Sequence, residues 1–215
     1  VIADPQDNPG GGASATTVGL LHALVRAKAN GVIGILHYPE VAEEASRAGV
    51  GAVLPLTLGG LVDGDVPFTG HFEVVVVGNG EFTCTGEYYR GVACEMGSTV
   101  LLRVCNSSKG GGDVRVVVSA SRLQCLDQAM FTQVGVQPAD EHIVVVKSAV
   151  HFRAHFEPIA CAVLIAEAPG ENACRLDKIP FEHLPGDIRI FPHGPTFTQV
   201  VHKRARKKTK EEKKR

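Results

Sequence analysis

A glycine-rich loop near the amino end of the chain combines residue types that could hold an anion or another polar ligand. Its candidate residues are Asp4, Asp7, Asn8, Gly10, Gly11 and Gly12. Glycine lets backbone N–H groups approach a ligand closely, and the amino end of the following helix adds unpaired N–H groups and partial positive charge. The same residues could instead form a tight turn capped by Asp and Asn side chains. The loop matches neither a P-loop nor GxGxxG, so both interpretations stay open.

A second polar cluster follows the three valines at 144–146. Lys147 could hold a carboxylate, Ser148 could form a hydrogen bond, and His151 could transfer a proton or bind a metal. Ligand sites in α/β proteins tend to lie beyond the carboxyl ends of strands, which favours this position. A helix would place His151 and His155 on one face, as in metal-binding pairs, although no acid stands between them as in HExxH. Alternatively, one histidine is a surface residue and the other a hydrogen-bonded core residue.

A third candidate cluster follows the valines at 116–118. Arg122, Gln124 and Asp127 could line a cleft or fix the start of a helix. Cys125 is interpreted as a small buried hydrophobe. The order of residues along the chain does not support a Ser-His-Asp triad.

The elements that must position these clusters alternate between helix and strand at both ends of the chain. Hydrophobic spacing predicts helices over 16–29, 41–48 and 127–133, and strands over 32–36, 50–58, 71–77, 81–85, 98–104, 114–119, 143–146 and 160–166. Gly78-Asn79-Gly80 predicts a hairpin between two of these strands, and residues 147–156 are predicted as loop or helix. Together they predict an α/β fold: a mixed sheet flanked by helices, with an antiparallel, strand-rich central insertion.

The composition, 44% hydrophobic and 21% charged residues, is typical of a globular protein. Six cysteines without a CxxC pair argue against a structural zinc site and a disulfide framework. No apolar run reaches the ~20 residues that a membrane span needs, and we expect no signal peptide. We therefore expect a cytoplasmic protein with reduced thiols and no membrane partner.

Charge is distributed unevenly along the chain. Residues 203–215 contain nine Lys or Arg and two Glu, whereas the formal net charge of the whole chain is −1. We expect one domain over 1–195 and a basic, disordered tail over 196–215. Such a tail could bind phosphates or an acidic surface, or be a solvated terminus. Because no aromatic residues are interleaved with the basic ones, specific nucleic-acid recognition is not expected.

Four motifs occur in an order that resembles the C-terminal domain of the MlrC family, the microcystin-degrading metallopeptidases. They are Asp7-Asn8-Pro9-Gly10-Gly11-Gly12-Ala13, Ala48-Gly49-Val50-Gly51-Ala52, Leu58-Gly59-Gly60, and Val146-Lys147-Ser148 followed by His151-Phe152-Arg153. The resemblance covers about residues 3–192. Together with the missing initial Met, it leads us to expect a piece of a longer protein.

The resemblance implies a parent enzyme whose N-terminal domain, absent from this sequence, carries the zinc ligands. There, zinc would polarise a carbonyl and activate water to hydrolyse a peptide or amide bond. The resemblance also implies that the glycine loop and the second cluster lie near the domain junction. The implied catalytic residues are His151 and Lys147, and the implied substrate-binding residues are Asp7, Asn8, Gly10, Gly11, Gly12, Ser148 and Arg153. The resemblance implies no metal ligand in this chain, so we expect the chain alone to bind no zinc and to be inactive.

A second hypothesis assigns the chain to a different class, a non-catalytic binding or scaffolding module. In that case the glycine loop is purely structural and the basic tail docks an acidic partner. It predicts an association that is sensitive to salt and is lost when residues 203–215 are removed. The first hypothesis instead names the missing N-terminal domain and a small peptide or amide substrate as partners.

Overall fold

A single mixed sheet carries the candidate site, as seen in a computed structural model that describes residues 1–105, 111–185 and 188–190. Residues 1–174 form one compact unit and residues 175–215 a second. All helices and strands named below belong to the first unit. The predicted basic tail over 196–215 lies outside the described residues.

The bounds of the elements follow the predicted pattern closely in the first half of the chain. The strands are β1 (Ile2–Ala3), β2 (Gly31–His37), β3 (Val53–Leu58), β4 (Phe68–Gly78), β5 (Glu81–Thr83), β6 (Ala93–Glu95), β7 (Thr99–Val104), β8 (Val114–Ser119), β9 (Val144–Val146) and β10 (Leu164–Ile165). The helices are α1 (Gly19–Ala27), α2 (Pro39–Ala48), α3 (Ala129–Thr132) and α4 (Arg153–Phe156). The strand predicted over 160–166 is reduced to the two residues of β10.

Eight strands form the main sheet in the order β10-β1-β9-β2-β8-β7-β4-β3. Neighbours from β10 to β8 run parallel, and neighbours from β8 to β3 run antiparallel. This architecture confirms the predicted mixed α/β fold. Most of the antiparallel strands extend the main sheet itself, and β5 and β6 form a separate two-stranded sheet.

The sheet buries both of its faces. Successive strand residues point to opposite faces, so Val116 and Val118 join a core cluster with α1 and α2, whereas Val117 joins a second cluster with α3 and α4. Leu21 and Leu24 carry the buried stripe of α1, as its apolar spacing predicts. The carboxyl ends of β1, β2 and β9 therefore emerge between two helical layers, where polar side chains can gather.

Local signals explain the ends of α2. Pro39 at the first turn presets a helical φ, Glu40 complements the positive end of the helix, and Gly49, with φ of +82°, ends it. By contrast, α1 begins at Gly19, three residues later than predicted, because residues 14–18 are bonded into the glycine loop. No helix in the described part of the chain is both long and apolar enough to cross a membrane.

The predicted Gly78-Asn79-Gly80 hairpin is wrong. In the described residues β4 pairs with β3 and β7, whereas β5 pairs with β6. β7 pairs with β4 up to Gly78, whereas β3 pairs only with Phe68–Glu73. After Gly78 the chain leaves the main sheet, because β5 forms its ladder with β6 and does not fold back on β4. The turn signal is real, since Gly80 has φ of +78°, but it redirects the chain into a second sheet.

Candidate functional site

Lys147 lies at the centre of a fully buried ionic cluster at the carboxyl end of β9. Its side chain is 1% exposed, and its Nζ lies 2.8 Å from both Asp4 Oδ2 and Asp7 Oδ2. Nζ also donates to the carbonyl oxygen of Thr17 at 2.7 Å and to Thr17 Oγ1 at 2.9 Å. The predicted carboxylate partner of Lys147 therefore exists within this chain, as two aspartates of the glycine loop.

The two aspartates of this cluster differ in their surroundings. Asp7 accepts hydrogen bonds from the backbone N–H groups of Ala15 and Thr17, both at 2.8 Å. Asp4 Oδ1 is buried without a hydrogen-bond partner among the described residues. Burial raises the pKa of Asp4 above its ordinary value of 3.8, and the ammonium of Lys147 offsets this only in part. Asp4 thus accepts a proton more readily than an ordinary aspartate.

The backbone N–H groups of the glycine loop are occupied within the chain. Asn8 organises its first half: Gly10 N donates to Asn8 Oδ1 at 3.0 Å, and Gly11 N donates to the carbonyl oxygen of Asn8 at 3.0 Å. Gly12 N donates to Pro9 O, Ser14 N to Glu171 Oε2, and Ala15 N to Asp7. Asn172 Nδ2 also donates to Asn8 O at 2.9 Å. In this conformation the loop is a tight, internally bonded turn, and these N–H groups are not aimed at a ligand.

The amino end of α1 is also capped by the chain itself. Val18 N donates to Asp65 Oδ1 at 3.0 Å, and Gly60 N donates to Asp65 Oδ2 at 2.9 Å. The hydroxyl of Tyr38 bonds to both Thr16 O and Gly59 N. Burial raises the pKa of Tyr38 to about 12, so this hydroxyl stays protonated near neutral pH. Asp65 thus holds the residue that immediately precedes α1, a role that no local feature of the sequence predicts.

Gln124 connects the glycine loop to the second cluster. A Cβ added to Gly10 would lie 2.2 Å from Gln124 Oε1, so the loop packs directly on this side chain. Gln124 Nε2 donates to Ser148 Oγ at 3.0 Å and lies 3.1 Å from His151 Nδ1. The structure therefore brings Gly10, Ser148 and His151 together around Gln124. Gln124 was predicted as part of the third cluster, and it is the residue that connects that cluster to Ser148 and His151.

His151 is held in a defined orientation although it is exposed. Gln124 binds its Nδ1, and the ring of Tyr88 lies against it with a centroid separation of 4.4 Å. Nε2 has no hydrogen-bond partner in the described part of the chain, so it is open to an incoming group. Tyr88 was not anticipated from the sequence, since it comes from the loop between β5 and β6, far from the other site residues along the chain.

A cavity of about 260 Å³ lies between the glycine loop, the second sheet and the third cluster. Its polar side chains include Arg122 and Gln124, which the sequence predicted as cleft residues. Arg122 also donates to the carbonyl oxygen of Ala13 at 3.3 Å. The remaining lining is mostly apolar and includes Pro9, Phe82, Tyr89, Leu123, Leu126 and Met130. A ligand with an apolar part and a polar end fits such a lining.

His155 and Asp127 have structural partners. His155 Nδ1 accepts a hydrogen bond from Gln128 N at 3.0 Å and lies 3.3 Å from Asp127 Oδ1. Asp127 also accepts from Ala129 N at 2.8 Å and so fixes the start of α3, as predicted. His151 precedes α4, so the two histidines do not lie on one helix. They are not a metal-binding pair in this structure.

Two further predicted residues lie apart from the polar cluster. Arg153 Nη1 pairs with Glu157 Oε1 at 3.3 Å, and its guanidinium lies 5.4 Å from the ring centroid of Phe152. No contact joins Arg153 to the glycine loop among the described residues. Cys125 is fully buried, as interpreted, and burial raises the pKa of its thiol.

Within the described residues, the side chains form no arrangement that fits a metal ion. Asp4 and Asp7 are the only carboxylates in the buried cluster, and both are bonded to Lys147. No group of three or more His, Cys, Asp or Glu side chains is placed to share a metal within the described residues.

Known proteins share this fold and sequence pattern. Microcystinase C from Sphingomonas sp. is 28% identical over 176 residues, which cover 81% of this chain and 33% of that protein. The crystal structure of a protein from Mesorhizobium sp. BNC1, described provisionally as a metallopeptidase, superposes with a TM-score of 0.70 at 22% identity. That match covers 80% of this chain and 34% of the other. The chain thus spans about a third of the length of these relatives.

A family of proteins also matches this chain, over a range that includes the motifs noted in the sequence. The MlrC C-terminus family matches residues 2–183, which include the glycine loop, Lys147, Ser148 and His151. The chain therefore belongs to the MlrC C-terminus family.

Proposed function

We propose that this chain is the C-terminal part of a metal-dependent hydrolase that cleaves peptide or amide bonds, and that it lines the substrate cleft. The observation that carries the proposal is the setting of His151. Gln124 and Tyr88 fix its ring, and its Nε2 has no partner among the described residues. Gln124 also lines the cavity, so it links this histidine to a mostly apolar pocket. Membership of the MlrC C-terminus family supports the reaction class.

In this proposal the zinc ligands lie in an N-terminal domain outside the sequence. The metal, when bound there, supplies the Lewis acid that polarises a carbonyl and activates water. The contribution of this chain is to bind and orient the substrate. In this proposal His151 Nε2 donates a proton to, or accepts one from, the substrate, while Arg122 and Gln124 provide polar contacts in the cavity.

Lys147 and the glycine loop take supporting roles in the proposal. A direct role of Lys147 in gripping substrate would require its ammonium to leave two buried carboxylates. We therefore assign Lys147, Asp7 and Asn8 as positioning residues that hold the loop carrying Gly10 against Gln124. Ser148 supports the same side chain from the opposite direction.

The test uses the full-length natural protein that contains this domain, with its metal bound. His151→Ala should lower kcat/KM for peptide hydrolysis by roughly 100-fold or more, in the range of a lost general acid or base. It should also change the shape of the pH–rate profile. The matched control is His142→Ala, because His142 is exposed and precedes β9 at its opposite end.

Circular dichroism and the bound metal content should be unchanged in both variants. If His151→Ala and His142→Ala hydrolyse peptides equally well and with the same pH profile, the assignment of His151 is wrong.

A further inference from the structure

Two thiols face each other across the small second sheet. Cys84 Sγ and Cys94 Sγ are 3.6 Å apart, and both side chains line the cavity. The pairing of the strands explains this placement. Phe82 lies opposite Cys94, and Cys84 N donates to the carbonyl oxygen of Val92 at 2.9 Å. The two cysteines are thus diagonal neighbours on the face of the hairpin that also carries Phe82.

The separation of the sulfur atoms is close to what a covalent bond requires. A disulfide has a sulfur–sulfur distance of about 2.05 Å, so closure needs a relative movement of roughly 1.5 Å. No other pair of cysteine sulfurs lies within hydrogen-bonding distance in the described residues. Cys105, Cys161 and Cys174 are exposed without such a neighbour, and they provide internal comparisons.

The two thiols differ in their access to solvent. Cys84 is 2% exposed, and burial, with a smaller contribution from the adjacent Cys94, raises the pKa of its thiol to about 12. Cys94 is partly exposed. A small reagent therefore reaches Cys94 first, and Cys84 is placed to react with whatever forms on Cys94.

We propose that Cys84 and Cys94 form a dithiol site that exchanges with small-molecule disulfides to give an intramolecular disulfide. The thiolate of Cys94 attacks the reagent, forms a mixed disulfide and releases one thiol. Cys84 then loses its proton and attacks the Cys94 sulfur as a thiolate, the mixed disulfide breaks, and the second thiol leaves. The raised pKa of Cys84 makes this the slower of the two steps. The two cysteines lose two electrons and two protons, and the reagent is reduced to two thiols.

The bond would enclose the loop over residues 85–93, which reaches the proposed catalytic histidine. Tyr88 from this loop lies against His151, and Tyr89 lines the cavity. Oxidation would therefore tether the loop that supports His151. The site stands on its own, however, since the thiol chemistry does not depend on any hydrolytic activity.

The test exposes the folded chain to glutathione disulfide, blocks free thiols with an alkylating reagent and maps tryptic peptides by mass spectrometry. Arg90 lies between the two cysteines, so trypsin leaves Cys84 in the peptide over 48–90 and Cys94 in the peptide over 91–103. We expect these two peptides to be joined in the oxidised protein and separated again by dithiothreitol. Non-reducing electrophoresis should show a monomer.

Variants that lack one of the two cysteines test whether Cys94 reacts first and Cys84 second. In Cys84→Ser, the joined peptides should be lost and Cys94 should carry glutathione. In Cys94→Ser, Cys84 should remain a free thiol. The matched control Cys105→Ser should form the joined peptides as the wild type does. The proposal is overturned if glutathione modifies Cys105 and Cys161 while Cys84 and Cys94 stay unjoined. It is equally overturned if the joined peptides form only after the protein is unfolded in urea.

Discussion

Lys147 carries a charge in a position that water does not reach, and its partners are two carboxylates and Thr17. A buried ion pair contributes little net stability compared with apolar residues, because desolvation of the charges is unfavourable. Removing one partner is much more damaging, since the other charge stays buried without compensation. The role we assign to Lys147 as a positioning residue follows from this asymmetry.

At the residue scale we therefore predict that Lys147→Met lowers the free energy of unfolding by about 3–5 kcal/mol. Adding Asp4→Asn should restore part of the loss, because it removes the carboxylate that lacks a second partner and the two sites are coupled. Urea unfolding measures both effects. Lys28→Met is the control, since Lys28 is exposed at the end of α1. Equal stability of the Lys147 and Lys28 variants would contradict the prediction.

Some residues of the candidate site can be recognised from the sequence, and others cannot. Lys147, Ser148 and His151 are recognisable because polar residues follow a valine strand, which is a local signal. Gln124 is among the residues of a similar segment, but its central position depends on contacts with Gly10, Ser148 and His151. Asp65 has no local signal, because its partner Val18 is 47 residues away.

At the scale of elements, the Gly59-Gly60 turn that follows β3 packs against the residue that precedes α1. Gly59 has φ of +84°, and a Cβ there would lie 2.2 Å from Val18 Cγ2 and 2.8 Å from Asp65 Oδ2. Its N–H also bonds to the Tyr38 hydroxyl. The turn thus requires glycine both for its backbone conformation and for the close approach of α1.

Gly12 provides a matched comparison, because it has φ of +99° with nothing within 4 Å of an added Cβ. We predict that Gly12→Ala lowers the free energy of unfolding by about 1 kcal/mol, from the backbone conformation alone. Gly59→Ala should lower it by about 3 kcal/mol, since steric overlap adds to the same strain. Chemical denaturation measures the difference, and equal losses in the two variants would show that the contact with Val18 is unimportant.

The hairpin predicted at Gly78-Asn79-Gly80 illustrates the limit of prediction at this scale. Local features of a turn are present, since Gly80 has a positive φ and Glu81 N donates to Asn79 Oδ1. The strand that follows nevertheless pairs with β6 and not with β4. Pairing is a property of the whole sheet, so local residue types could not reveal it.

At the scale of the whole molecule, the two hydrophobic core clusters are formed by the part of the chain before residue 164. From residue 164 onward, β10, Glu171 and Asn172 bind β1 and the glycine loop. A chain ending at residue 174 keeps the whole first unit and serves as the reference. We predict that a chain ending at 163 loses about 2–4 kcal/mol in the free energy of unfolding relative to it, because the backbone bonds of β10 to β1 and the bonds of Glu171 and Asn172 to the glycine loop are removed. Thermal and urea unfolding of both truncations test this, and equal stability of the two would contradict it.

The alternative hypothesis of a binding module depends on residues 203–215, which lie outside the described residues. It stays a prediction, with its salt-sensitive association as the measurement. The proposed hydrolase depends instead on His151 and on a metal-binding domain supplied by the rest of a longer protein.

The sequence by itself determined the family, the mixed α/β fold and the polar segments of the site. Motifs, hydrophobic periodicity and turn residues are local properties, and neighbouring residues encode them. Tertiary structure decided that Lys147 bonds to Asp4, 143 residues away, and that Gln124 joins the loop to His151. It also decided that the loop's N–H groups are occupied within the chain. These partners are far apart along the chain and come together only when the strands pair. Their contacts therefore produce no recognisable spacing in the sequence.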